Sequence, residues 1–276
     1  MAGFGYWSGQ DVRVEFHPAP ENTGIVFVRC DLAPPRRIAA VVHNRIEVPR
    51  RSSLAAGGAT VEMVEHVLAA LHGLQIDNCE VWVDRPEMPG VDGSCLPFLT
   101  ALEAVGLIDQ TAPRAQLRVD RVLRVGDEHA WLEARPARGE GYSIESSIDY
   151  GAGSAIGRQS LWIDVTRDRF RSALAGARTF ILAEEAEWLR RQGLGTRVTA
   201  RDLLVFGADG PIDNPLRFPD ECVRHKTLDV IGDMALAGGD LVGHFVTHCS
   251  GHRLNGELVK RLLACCPVVR GLRKTA

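Results

Sequence analysis

The chain has 276 residues, 45% apolar and 24% charged, a balance that suits a globular protein and excludes a disordered or fibrous one. Its 32 Lys and Arg are interspersed with 35 Asp and Glu for a formal charge of −3, so no electrostatic footprint argues for nucleic acid. No apolar run approaches the roughly 20 residues of a membrane-crossing helix, and MAGFGYWSGQDVRVEF lacks the basic start and apolar centre of a signal peptide.

The first half reads as strands, a helix and a strand. VRVEFHP and TGIVFVRCDL alternate or cluster β-branched residues and end at Pro or Gly signals. Over residues 60–73, TVEMVEHVLAALHG, the spacing of Val61, Val64, Leu68 and Leu71 predicts one apolar helical face that stops at Gly73. The strand NCEVWVD (78–84) follows, then the loop RPEMPGVDGS, in which Asp92, Gly93 and Ser94 form a turn, then the helix LPFLTALEAVG. The polar, Pro-containing segment 107–116 is the best boundary, giving a first unit over residues 1–112 and a second over 113–276.

The second half continues with strands LRVDRVLRV, AWLEARP, YSIESSIDY and LWIDV and a helix over 167–176. Residues 177–193 run from a short strand into a helix; 221–237 is a helix, GGDLVGHFVTH a turn and strand, and 252–265 a closing helix. VEHVLAALHGLQIDNCEVWV and VRHKTLDVIGDMALAGGDLVGHFV share one design: a His near the start of a helix that ends at Gly and feeds a strand. The expectation is α+β, with two similar domains from a duplication whose His-bearing helices face each other.

The seven cysteines form no CxxC pair and most sit in apolar stretches, which fits buried thiols in a reducing, cytoplasmic setting. Any metal must then be held by His and carboxylates. His225 and Asp229 are four apart on a predicted helix, so they project from one face; Asp233 extends the row, and His66 on the earlier helix offers a third ligand. Two His and one Asp leave a position open for water, the pattern of a catalytic zinc site. The bland reading stands beside it: a lone His–x3–Asp pair is more often a surface ion pair, Glu65 next to His66 is by itself a solvated face, and no HExxH occurs. The other histidines, His17, His43, His72, His129, His244 and His248, read as core, strand or surface residues.

VEMVEHVLAALHGLQIDN, EMPGVDGSCLPF, ARTF, RHKTLDVIGD and SGHRLN occur in the order found in the UDP-3-O-acyl-N-acetylglucosamine deacetylases, the LpxC family, and the chain resembles that family from about residue 8 to 263. The resemblance implies a zinc amidohydrolase, with iron(II) as an alternative metal, acting on a small nucleotide-sugar lipid precursor. It implies His66, His225 and Asp229 as zinc ligands, Glu65 as general base, and His252 as the cationic residue that protonates or stabilises the leaving side. Asp233 would orient that histidine and Thr179 would help hold the tetrahedral oxyanion. Phe180 would line the sugar pocket and Lys226 contact substrate; Tyr150, beside Asp149, stands where the family stacks an aromatic ring on uracil. The family fold packs helices between two outer sheets, with the metal at the domain junction and an insert in each domain. The second insert, here within 181–215, forms an apolar channel for the acyl chain. A monomer is expected.

The sequence departs from the family in three places. Trp7 stands for the histidine of a Gly-x-Gly-Leu-His-Ser/Thr-Gly motif, and the strand that precedes the motif is missing; Cys249 replaces a Lys or Arg that meets the nucleotide phosphates; Arg50 and Arg51 fall where apolar residues are common. Two other readings therefore stand beside the lipid A deacetylase: the same chemistry on another N-acetylated sugar or nucleotide sugar, and a non-catalytic nucleotide-sugar-binding protein.

Overall fold

The computed structural model of the chain describes residues 1–270 apart from Arg138 and Glu140, so the last six positions of the predicted second unit lie outside the described residues. In chain order the first half holds β1 (Ala2–Phe4), β2 (Asp11–Pro18), β3 (Ile25–Arg29), β4 (Arg36–Ala39), β5 (Arg45–Ile46), β6 (Ser53–Ala56), β7 (Ala59–Glu62), α1 (Glu65–Gly73), β8 (Cys79–Val83) and α2 (Leu96–Val105). The second holds β9 (Ala115–Arg118), β10 (Leu123–Gly126), β11 (Trp131–Arg135), β12 (Tyr142–Asp149), β13 (Arg158–Asp164), α3 (Arg167–Arg169), β14 (Phe180–Leu182), α4 (Ala183–Arg191), β15 (Leu204–Gly207), β16 (Gly210–Pro211), α5 (Glu221–Met234), β17 (Asp240–His248), α6 (His252–Cys265) and β18 (Val268–Arg270).

The strand pattern carries the amphipathicity the sequence promised. Along β12, Tyr142, Ile144, Ser146 and Ile148 turn inward while the residues between them stay more open, the period of two that a half-buried strand requires. The first sheet has the order β1-β2-β8-β3-β4, with β3 parallel to β8 and its other pairs antiparallel. The second has β10-β11-β17-β12-β13, with β12 parallel to β17 and the other pairs of that order antiparallel; β9 adds parallel to β17, and β18 antiparallel to β9. The two orders are the same when read in chain order, and in each the helix α1 or α5 lies in the connection between the two parallel strands. This is the repeated unit expected from the two His-bearing segments.

The helices α1 and α5 pack on each other, with α2 against α1 and α6 against α5. Phe27 and Val81 of one sheet, Ile144 and Phe245 of the other, and Leu68, Leu71, Leu228 and Ile231 between them belong to one buried cluster. The helix crossing is set by Gly232, where an added Cβ would lie 2.1 Å from the carbonyl oxygen of Glu65. Only a residue without a side chain lets the two backbones come this close.

Three expectations need correction. The helix predicted over 60–73 begins only at Glu65: residues 59–62 are β7, paired antiparallel with β6, and Met63 turns the chain at φ 58°. Thr60, Val61 and Glu62 alternate in burial as well as they space on a helix, and the partner strand decides. The helix predicted over 167–176 is one α turn followed by a π turn over Phe170–Leu174, which drives Phe170 against Gly73, where a Cβ would meet its ring at 2.2 Å. LRVDRVLRV divides into β9 and β10, which pair with different neighbours. The edge of the first sheet is not bare: the three-residue β1 runs antiparallel to β2, a short strand of the kind that blunts an edge.

Each half also carries an inserted sheet, β5-β6-β7 in the first and β14-β15-β16 with α4 in the second. No helix among the described residues is long and apolar enough to cross a membrane.

Candidate active site

A cavity of about 680 Å³ lies between the halves and is lined by both inserts, the start of α1, α5 and the start of α6. Because α1 and α5 cross at Gly232, the first turn of α1 faces the middle of α5. His66 and His225 meet edge to face with ring centroids 5.1 Å apart, and Asp229 lies one turn along α5 from His225. The Nε2 atoms of His66 and His225 are 3.7 and 3.5 Å from Asp229 Oδ1. One ligand atom from each of the three residues falls within 4.8 Å of the others, and all three side chains are buried.

The bonds around this trio suit a cation. Asp229 Oδ2 accepts from Lys226 Nζ at 3.0 Å, whereas Oδ1, fully buried, has no hydrogen-bond partner among the described residues. His225 Nδ1 donates to the carbonyl of Ala177 at 3.2 Å, which leaves the Nε2 lone pair directed at the trio. Burial pushes the His225 pKa down to about 4, outweighing Asp229, so the imidazole is neutral, as a ligand must be. Burial would raise Asp229, but His225 and Lys226 outweigh it and hold the carboxylate well below its usual range. Lys226 would be lowered by burial; Asp229 attracts its charge more strongly and raises it. An orphaned carboxylate oxygen between two imidazole nitrogens fits a divalent metal with N/O ligands.

Beside the trio stand two further titratable groups. Glu65 Oε1 and His252 Nε2 face each other at 4.0 Å, and His252 Nδ1 bonds Asp233 Oδ2 at 2.8 Å. Burial would lower His252, but Asp233, followed by Glu65, outweighs it and the pKa rises to about 9. Burial raises Glu65, with His252 and His66 opposing.

Thr179, Phe180, Tyr150 and Lys226 line the same cavity. Phe180 sits at the centre of a ring cluster, 5.7 Å from Tyr150 and 6.2 Å from His225. Thr179 Oγ1 donates to the carbonyl of Gly93 at 3.0 Å, so the Asp92–Gly93–Ser94 turn anchors this residue. Asp149 lies outside the cavity, its carboxylate engaged with Arg158 Nε at 2.8 Å and the N–H of Gly151. None of the six histidines read as structural lines the cavity.

Residues of the three departures gather in and beside this cavity. Trp7, Arg50 and Cys249 line it, as does Arg253. Arg51 lies just behind, its guanidinium 4.5 Å over the Trp7 ring while Nε donates to Glu62 at 2.7 Å, so two of the unusual residues contact each other. Arg50 pairs with Glu185 of α4 across the two inserts. Arg253 reaches Glu257 at 3.7 Å.

Sequence reasoning missed three supports. Arg178, buried at 4% exposure, is clamped by Glu221 through Nε at 2.7 Å and fixes the segment that carries Thr179. Asn255 donates to Asp233 Oδ2 at 2.8 Å, and Ser52 bonds both Glu65 and Asp233. Asn255 lies inside SGHRLN, which was a usable signal; Ser52 has none, because its partners are distant in sequence.

The comparisons with known proteins agree with the geometry. The model of the LpxC family, UDP-3-O-acyl N-acetylglycosamine deacetylase, matches residues 1–264. UDP-3-O-acyl-N-acetylglucosamine deacetylases of Brucella ovis, Brucella canis and Brucella suis are each 39% identical over 266 residues, which is 96% of this chain and 92% of theirs. With the fold repeated in two halves, a buried His–His–Asp trio at their junction and a family match over nearly its whole length, the chain belongs to the LpxC family of deacetylases.

Proposed function

We propose that this enzyme is a zinc-dependent hydrolase that removes the acetyl group from UDP-3-O-acyl-N-acetylglucosamine, releasing acetate at the committed step of lipid A biosynthesis. The observation that carries the reading is the buried Asp229 Oδ1, without a hydrogen-bond partner among the described residues and set between two imidazoles, next to an opposed Glu65–His252 pair. His66, His225 and Asp229 would hold Zn²⁺, whose Lewis acidity polarises an amide carbonyl and makes a water nucleophilic near neutral pH.

Glu65 takes the proton from the attacking water through Oε1, the oxygen that faces the cavity side of His252. Water adds to the acetyl carbon, and the developing oxyanion draws the Thr179 hydroxyl away from Gly93. His252 is charged at neutral pH because Asp233 holds its Nδ1–H, so Nε2–H can deliver a proton to the amine nitrogen as the C–N bond breaks. The amine would be a poor leaving group without that proton. Lys226 keeps Asp229 ionised and presents its charge to the cavity, while Phe180 and Tyr150 offer ring faces to the sugar and base. Ile181, Ala186, Leu189, Leu194 and Val198 of the second insert give an apolar wall suited to an acyl chain.

The same reading puts the domain boundary at residues 112/113 and treats the enzyme as a monomer, since one chain supplies both walls of the site. Seven free thiols suit a cytoplasmic setting. Iron(II) is the alternative metal, because His and carboxylate ligands discriminate weakly. A second reading, the same chemistry on another N-acetylated sugar, is favoured by one observation: Trp7 and Cys249 line the cavity where the resemblance leads one to expect a histidine and a cation. A panel of UDP-N-acetylglucosamine derivatives with and without the 3-O-acyl chain decides. Acetate release at much higher kcat/KM from the acylated compound is expected; equal release from both transfers the argument to the second reading.

A further inference from the structure

Ser52 is fully buried and does not line the cavity, yet it touches both Glu65 and the carboxylate of Asp233 that holds His252. Its backbone N–H donates to Glu65 Oε2 at 3.0 Å, and its hydroxyl donates to Asp233 Oδ1 through a short hydrogen bond. Its carbonyl accepts the N–H of Val64 at 3.2 Å, which locks the residue to the start of α1. Asp233 is also wholly buried, and its other oxygen already receives His252 Nδ1 and Asn255 Nδ2, each at 2.8 Å. The four residues thus form a circuit: Ser52 holds Glu65 through its backbone and Asp233 through its hydroxyl, Asp233 holds His252, and His252 Nε2 faces Glu65 Oε1 at 4.0 Å.

Each bond selects something. Occupying Glu65 Oε2 leaves Oε1 as the oxygen that faces His252. Filling Asp233 Oδ1 stops the carboxylate from rotating, so Oδ2 stays in line with the imidazole. Ser52 and Asp233 are 181 residues apart and belong to different halves, so this hydroxyl ties the base carried by α1 to the acid supported by α5.

We infer that Ser52 is a positioning residue of the deacetylation reaction, setting the geometry between Glu65 and His252 without touching substrate or metal. The inference rests on the deacetylase reading for its kinetic test, and on the protein alone for its spectroscopic one. Ser52→Ala removes the hydroxyl and keeps the backbone bond to Glu65; Ser52→Thr keeps both.

In acetate-release kinetics Ser52→Ala should lower kcat by about 10–100-fold, the range for losing a partner that orients an active-site ligand, with KM and bound metal unchanged. Ser52→Thr should recover most of the loss. In ¹⁵N-histidine-labelled protein without substrate, the His252 Nδ1–H resonance should move in Ser52→Ala and return towards its native position in Ser52→Thr. A kcat within about twofold of native in Ser52→Ala, or a loss that follows metal content or KM instead, overturns the role. Absence of acetate release from native protein would count against the deacetylase reading; an unmoved His252 resonance in Ser52→Ala would still reject Ser52 by itself.

Discussion

The two halves share a strand order and a helix placed between two parallel strands, but they use that helix differently. In the first, only the opening turn of α1 is chemical: Glu65 and His66 stand at its start and the rest, Val67 to Leu71, is core. In the second, the proposed site residues run down about two turns of α5, from His225 through Asp229 to Asp233, and continue at the start of α6 with His252. The repeated strand order brings two similar helices together, and on the proposed reading the roles are divided along their length. The first half would bring the base and one metal ligand, and the second two ligands, the acid and the carboxylate that charges it. Neither half alone would then surround a cation or oppose an acid to a base.

This comparison can be broken most severely at the metal. Native protein should carry about one zinc per chain, and His225→Ala far less, with activity nearly abolished. Equal metal content by elemental analysis in both would remove α5 from the ligand set. Next in size is the acid. His252→Ala should lower kcat by about 10²–10⁴-fold. The raised folded-state pKa of about 9 means that the protonated, active form persists below that pH and is lost as pH rises through it. Glu65, raised by burial, sets the acidic limb above the ordinary 4.5, because activity falls as that carboxylate gains a proton. The kcat/KM profile should be a bell, and Asp233→Asn should bring its alkaline limb to lower pH. The same shift stabilises the fold: the contribution of His252 is complete below its ordinary value of 6.5 and disappears as pH rises through about 9.

The contact between the halves offers a smaller effect. Gly232→Ala puts a methyl against the Glu65 carbonyl, a backbone that has no rotamer with which to yield, so α1 and α5 must separate. A loss of about 1–3 kcal/mol in urea denaturation is expected, the range for overpacking, together with reduced kcat as the ligand trio spreads. A variant as stable and active as native protein would show that the crossing is looser than the contact implies. Smallest is the Trp7–Arg51 pair. A double-mutant cycle with Trp7→His and Arg51→Ala should return a coupling of about 0.5–1 kcal/mol, and a null coupling would mean that the two departures are independent.

Much of the site was legible in the sequence. The His225–Asp229–Asp233 row is helical geometry, and the three residues do share a face of α5. The strands β2, β8 and β12 and the helices α2 and α6 followed from periodicity because each buries one face, whereas α5 is buried on nearly all sides. The same periodicity misled at residues 60–62, where an alternating run satisfied both helix and strand until β6 supplied a partner, and at 167–176, where docking of Phe170 rewound the turn. Trp7 and Arg51 were each visible as departures, but nothing in the chain order said that they touch.

Sequence by itself determined the residue types, their local spacing and the repeat, because these depend on neighbours three or four positions away. Tertiary structure decided which nitrogen of His225 is hydrogen-bonded, which oxygen of Asp229 lacks a hydrogen-bond partner among the described residues, and that Ser52 bridges Glu65 and Asp233. Those outcomes depend on burial and on hydrogen bonds between segments up to 181 residues apart, where the loss of water makes each unpaired polar atom costly and each paired one specific.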